Sequence, residues 1–356
     1  MRLKAFWKTI WGEKKYKAVF IISVILAVFI IGGAIAAKYL PKKSPAILAK
    51  KTPTVYVSPL DGKSYPDKDK ANRHPLAVSV ENHPDARPHS GLIDASIVYE
   101  AITEGGITRF LAIYGPTDAK EIGPIRSARL FFMDWLKEFD AFFAHDGGNE
   151  DALANIGTYA VKDLQRDTTH FQKDDKGRNV ATEHTLYSST DQLYDFASSK
   201  GYDINSSDYE KYKFKKDGPG IETGGKGVEV NFSSASYKVS WTYDFATNQY
   251  SRSMGGEEHK DRTSGETIKA NNIIVQTVSR TLDPTGSYGS QNWVFDTIGD
   301  GTAKIYRDGK EISATWKKTG LTSRTKFYDE TGAELEFNPG KTWIEVVPPE
   351  VSPVAI

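Results

Sequence analysis

The stretch Gly123-Pro-Ile-Arg-Ser-Ala-Arg129 places two guanidiniums three residues apart. Ile125, Ala128, Phe132, Trp135, Leu136 and Phe139 follow a 3.6-residue period, and Pro124 suits a first helical turn. The spacing therefore predicts a helix from Pro124 to near Asp140, with Arg126 and Arg129 in its first turn. Unpaired amides and the macrodipole already make that turn positive, so cations there need a negative partner. Arg129 also falls on the apolar stripe, which turns it toward the interior or a cleft. The partner is either a bound anion or the carboxylates of Glu100 and Glu104, and both readings stay open.

Glu104-Gly-Gly-Ile-Thr-Arg109 adds an acid and a base around a double glycine. It matches no nucleotide-phosphate fingerprint and reads as a hairpin turn. His145-Asp-Gly-Gly148 follows the apolar run Ala141–Ala144, the place where α/β sheets hold ligands, and an imidazole there could move protons. His184 lies in a second loop. The candidate ligand-binding set is Arg109, Arg126, Arg129, His145, Glu100, Glu104 and His184. His83-Pro-Asp-Ala-Arg-Pro-His89 is a rigid proline loop rather than a helix face, and the reading assigns no metal site, no cofactor and no catalytic residue. Zincin, nucleophile-elbow and P-loop motifs are all missing. Ser323 and Lys326 have S-x-x-K spacing, but they sit on an alternating, strand-like run.

These residues need elements to hold them, and the composition bounds which. The 356 residues carry 46 bases and 46 acids, but the first 51 hold eleven bases and one acid. The rest has 35 bases against 45 acids, a balance that argues against nucleic-acid binding. The complete lack of cysteine excludes thiolate catalysis, Cys-ligated metals and disulfides.

Ala18 to Ala37 contains no charge and a single hydroxyl, Ser23. Twenty residues at about 1.5 Å each cross a bilayer core of about 30 Å. Six bases precede the span and Lys38, Lys42 and Lys43 follow it, so the positive-inside rule expects a cytoplasmic N-terminus and an extracellular main body. A cleaved signal peptide is the alternative, because Ala34-Ile-Ala36 has the small-x-small form, although signal cores are about 7 to 15 residues long.

The expected organisation is a tail over 1–17, a transmembrane helix over 18–37 and a polar tether over 38–74. A layered α/β domain follows over 75–216, then a glycine-rich linker over 217–227 and a β-rich domain over 228–348, an α+β fold overall. In the first domain, strands at 76–80, 96–100, 107–113 and 141–144 alternate with helices, one of them opened by the Ser189/Gln192 capping box. In the second, Asp300-Gly301, Asp308-Gly309 and Thr331-Gly332 punctuate short strands.

Asn82–Pro88, Ile97–Glu100, Glu104–Phe110, Ile122–Arg129 and His145–Gly148 together resemble the YerB-like lipoprotein family of Gram-positive bacteria, a family of unknown function. Trp241–Asp244, Tyr250–Arg252, Gly256, His259, Asp261 and Pro339–Ile344 extend the resemblance into a second domain, over about 270 residues in all. The resemblance implies an envelope protein with an α/β first domain and a β-rich second, and supplies no catalytic residues. Without a cysteine to lipidate, the apolar helix would replace the lipid anchor.

The expected function is a membrane-anchored extracytoplasmic module that binds an anionic envelope component or cell-wall fragment in the arginine pocket, with no nucleic-acid partner. A cell-wall hydrolase or transferase using His145, Glu100 or Glu104 is the alternative. So is a non-enzymatic scaffold whose arginines pair internally.

Overall fold

The computed structural model describes residues 2–39, 54–205, 208–216, 218–222, 224–283 and 292–356. Two N-terminal helices, α1 (Arg2–Gly12) and α2 (Lys14–Tyr39), form a unit of their own. α2 contains the whole expected span, has a mean hydropathy of 2.9 and buries none of it. Ser23 returns its hydroxyl to the Val19 carbonyl at 2.9 Å, which removes the one polar group of the apolar run from its surroundings. Trp7 of α1 meets Phe20 of α2 edge-on at 5.7 Å.

From Thr54 onward the chain is built on one ten-stranded sheet. Its strands are β1 (Leu76–Glu81), β2 (Ile97–Ile102), β3 (Thr108–Tyr114), β4 (Phe142–His145) and β5 (Lys162–Gln165) from the first half of the chain. A second set follows 228, beginning with a small sheet of β6 (Val228–Asn231), β7 (Lys238–Asp244) and β8 (Gln249–Met254). The large sheet then gains β9 (Asn272–Thr277), β10 (Gly299–Arg307), β11 (Lys310–Lys318), β12 (Lys326–Tyr328) and β13 (Thr342–Val347). Its order is β12-β11-β10-β9-β13-β2-β3-β1-β4-β5.

The seam between the halves is the parallel pairing of β13 with β2, with Glu345 opposite Glu100. Both strands are buried along their full length, as expected for parallel strands covered on both faces. Alternate residues feed two separate cores. Val78, Val98, Phe110 and Trp343 face the small sheet and helix α5 (Thr190–Ser199), whereas Ala77, Tyr99, Leu111 and Ile344 face helix α3 (Leu130–Leu136).

Three expectations change. The helix predicted from Pro124 starts only at Leu130, with Arg129 as its N-cap residue. Residues 125–128 are extended because their amides are already taken: Ile125 donates to the Leu186 carbonyl, Arg126 to Ser79 and Ala128 to Gly147. The tether expected over 38–74 is shorter at its far end, since Ser58, Leu60, Asp61 and His74 are buried in the folded unit, while 40–53 lie outside the described residues. The linker over 217–227 is laid against the C-terminal strands where it is described. Ile221 and Lys226 donate to the carbonyls of Asp308 and Gly309, and any Cβ at residue 225 would fall 2.3 Å from the Tyr243 ring. Position 217 and position 223 lie outside the described residues.

Other sequence signals hold. Ser189 caps α5 by accepting the Gln192 amide at 3.2 Å, and Gly201 ends it at φ +80°. Asn149 takes the N-cap position of α4 (Glu150–Asn155).

Candidate functional site

β1, β2, β4, β5 and β13 run in the same direction, so their C-terminal ends share one edge of the sheet. Most of the predicted residues lie there, but in separate groups rather than in one pocket.

The first group is built on the β2–β3 hairpin. Gly105 and Gly106 take positive φ at its turn, and a side chain at 106 would press on Ser233 of the second half. The turn presents Glu104 to two guanidiniums: Arg109 Nη2 donates to Oε1 at 3.0 Å, and Arg129 donates to Oε2 through Nη2 and, at 3.2 Å, through Nε. Arg109 also donates to the Ser127 carbonyl at 3.1 Å and is 2% exposed. Burial alone would raise the Glu104 carboxyl, but the two guanidiniums outweigh it and hold it down at about 2. Arg109 is lowered to about 10, chiefly by burial, then by the charge of Arg129.

The second group centres on Glu81 at the end of β1. Its Oε2 lies 2.8 Å from His184 Nδ1 and its Oε1 lies 3.2 Å from Arg126 Nε, while Arg126 Nη2 reaches Glu183 at 3.6 Å. Arg126 and Arg129 therefore serve different carboxylates.

His145 is fully buried, with Nε2 at 2.8 Å from Asp163 and Nδ1 at 2.7 Å from the Gly147 carbonyl. Both ring nitrogens are engaged by groups of the same chain, so neither is turned toward an open cleft.

Glu100 does not join the arginines at all. In β2 it lies on the opposite sheet face from Arg109, because Ala101, not Glu100, is the register partner of Arg109. Its carboxylate receives Arg252 Nη2 from β8, the Thr108 hydroxyl at 2.7 Å and the Asn82 amide at 3.3 Å. Arg252 continues the chain by donating to His259 Nδ1 at 2.6 Å, which leaves His259 Nε2–H to donate to His89 Nδ1 at 2.8 Å. Arg252, Glu100 and Glu345 are each 0% exposed. Arg252 also packs over the Trp343 ring at 4.7 Å.

Electrostatics here follow from burial. The Glu345 carboxyl is pushed well above the usual range, first by burial and then by Glu100 beside it, with Arg252 opposing. Its Oε1 accepts the Trp241 indole N–H at 2.7 Å. His89 and His259 are held well below the ordinary imidazole range by burial and then by neighbouring guanidiniums, so both rings are neutral.

Of this buried network only Glu100 was among the expected site residues, although Asn82, His89, Arg252 and His259 stand in or beside the resemblance motifs. Parity was the available signal. Arg252 lies between inward-facing Tyr250 and Met254, and Glu345 between inward-facing Trp343 and Val347.

A cleft of about 400 Å³ lies elsewhere, lined by Asp94, Asp118, Glu121, Asp261, Glu266 and Lys120 among others. Its sign is opposite to the expected basic pocket. Asp94 there is raised to about 6, first by burial, with Asp261 and Asp118 adding to it and Lys341 opposing.

The fold and these groups define a two-part α+β protein whose halves share a sheet and a buried charge network. Residues 60–203 match the family model described as the N-terminal domain of a protein of unknown function (DUF3048), and residues 228–344 match its C-terminal domain. The chain is 33% identical over 282 residues to the Bacillus subtilis (strain 168) protein named "Putative lipoprotein YerB", covering 78% of this chain and 82% of that one. It also resembles the crystal structure of YerB from Bacillus subtilis, with a TM-score of 0.73 at 30% identity over 84% of this chain and 99% of the other. The chain belongs to this two-domain YerB family.

Proposed function

We propose that the protein is a membrane-tethered, extracytoplasmic, non-catalytic scaffold of the cell envelope, with α2 as a single-pass anchor and a cytoplasmic N-terminus. The name of the Bacillus relative supports the envelope location, and the six bases before the apolar run support the orientation. Protease added to intact cells is expected to digest the folded unit and spare the first helices. Survival of the C-terminal strands in that assay would refute the orientation.

The observation that carries the scaffold reading is that Arg109, Arg126 and Arg129 each face carboxylates of the same chain. One observation favours anion binding as a second reading: two guanidiniums share Glu104, whose side chain is 40% exposed, so the cations of that group outnumber its one carboxylate.

Replacing Arg126 and Arg129 together with methionine separates the two. Removing one partner of a buried pair costs about 3–5 kcal/mol, and here Glu81 and Glu104 each keep a second partner, so a loss of about 2 kcal/mol is expected. Urea unfolding of the full chain in detergent measures it. Unchanged or increased stability of the variant, with phosphate or acetate raising the midpoint of the wild type alone, would favour the anion site instead.

A further inference from the structure

We propose that His83, Asp85 and His184 form a binding site for a borderline divalent transition metal ion of the zinc type. The proposal goes beyond the scaffold reading and does not depend on it. His83 caps the single turn Pro84–Ala86 that follows β1 and Asp85 lies within it, while His184 ends a second single turn, Thr182–His184. One donor atom from each of the three lies within 4.8 Å of the others.

The spacing suits a small ion. His83 Nδ1 and the Asp85 carboxylate lie 3.7 Å apart, and a tetrahedral ion with bonds of about 2.0–2.1 Å sets its donors about 3.4 Å apart. His83 Nδ1 carries a lone pair, since it accepts the Asp85 amide at 3.2 Å, and an ion bound there would take the place of that hydrogen bond.

His184 is oriented from behind. Glu81 Oε2 sits 2.8 Å from its Nδ1 and takes the N–H, which leaves the lone pair on Nε2, the carboxylate–histidine arrangement that fixes metal-binding imidazoles. Among the described residues that Nε2 has no hydrogen-bond partner. The two rings are stacked at 4.9 Å and 10°, so their in-plane lone pairs run parallel and the part-exposed His83 ring must turn to meet an ion held by His184. His184 is anchored at 7% side-chain exposure, while His83 at 35% and Asp85 at 61% are free to close on an ion.

The local charge also favours a cation. Asp85, Glu81 and Glu183 supply three carboxylates against the guanidiniums of Arg126 and Arg178. Arg178 directs its hydrogen bonds to the Asp85 and His184 carbonyls and the Tyr187 hydroxyl, so it braces the two turns without occupying the donors. Two imidazoles and one carboxylate select zinc-like ions over calcium or magnesium, and leave a fourth position for water or an anion.

The test titrates untagged, chelator-stripped full chain in detergent with Co²⁺ and then Zn²⁺. One equivalent of Co²⁺ is expected to give visible absorption of a low-coordinate site, which Zn²⁺ removes and excess Ca²⁺ or Mg²⁺ does not. Asp85→Asn is expected to weaken binding about tenfold and His83→Ala about a hundredfold, with unchanged circular dichroism because both side chains sit at the surface. Absence of saturable binding in the wild type, or equal affinity in both variants, would overturn the proposal.

Discussion

Replacing Arg252 with methionine is expected to lower the free energy of unfolding by about 3–5 kcal/mol, because the Glu100 carboxylate stays buried and loses its counter-charge. Thr108 and Asn82 still donate to Glu100, but two neutral donors do not replace a guanidinium. The loss extends further, since His259 loses the donor to its Nδ1 and the Trp343 ring loses the cation stacked over it. Adding Glu100→Gln to Arg252→Met is expected to restore part of the stability, because it removes the stranded charge. Chemical unfolding of the single and double variants measures the coupling. A single variant within 1 kcal/mol of wild type would mean that the ion pair does not hold the halves together.

The second large effect concerns the chain as a divided molecule. Expressed alone, residues 54–216 would expose the edge of β2 that β13 covers, and leave Glu100 buried or exposed without Arg252. Residues 228–356 would lack the central strands on which β13 and the small sheet pack. Neither fragment is expected to unfold cooperatively by itself, whereas mixing the two should regenerate a folded complex. A sharp thermal transition in the isolated first fragment, with native-like near-ultraviolet circular dichroism, would show that the family domains are independent after all.

What the sequence made legible was local. Alternation and turn residues located β1 to β4 and most of the second-half strands, and the Ser189/Gln192 pair located α5. The β13–β2 pairing was not legible, because two buried parallel strands about 240 residues apart carry no local sign of each other. The helix boundary at Leu130 was missed for a related reason. Residues 125–128 have a helical apolar period, but the carbonyls that claim their amides come from Ser79, Gly147 and Leu186. With the helix starting at Leu130, Arg126 lies outside its first turn, and its contact with Glu81 is an ordinary cross-element ion pair. The pairing of Arg129 with Glu104, by contrast, is one of the two compensations that the sequence left open. Glu100 was assigned to the wrong partner because its sheet face depends on the β2–β3 register, which the double-glycine turn does not specify alone.

Scanning calorimetry of the full chain in detergent, with and without phosphate and acetate, tests the central claim most directly. The claim is that the two family domains form one internally neutralised body. The account predicts a single endotherm from the folded unit, a calorimetric enthalpy equal to the van't Hoff enthalpy, and no upward shift with either anion. Two resolved transitions, or a midpoint that climbs with anion concentration, would contradict it.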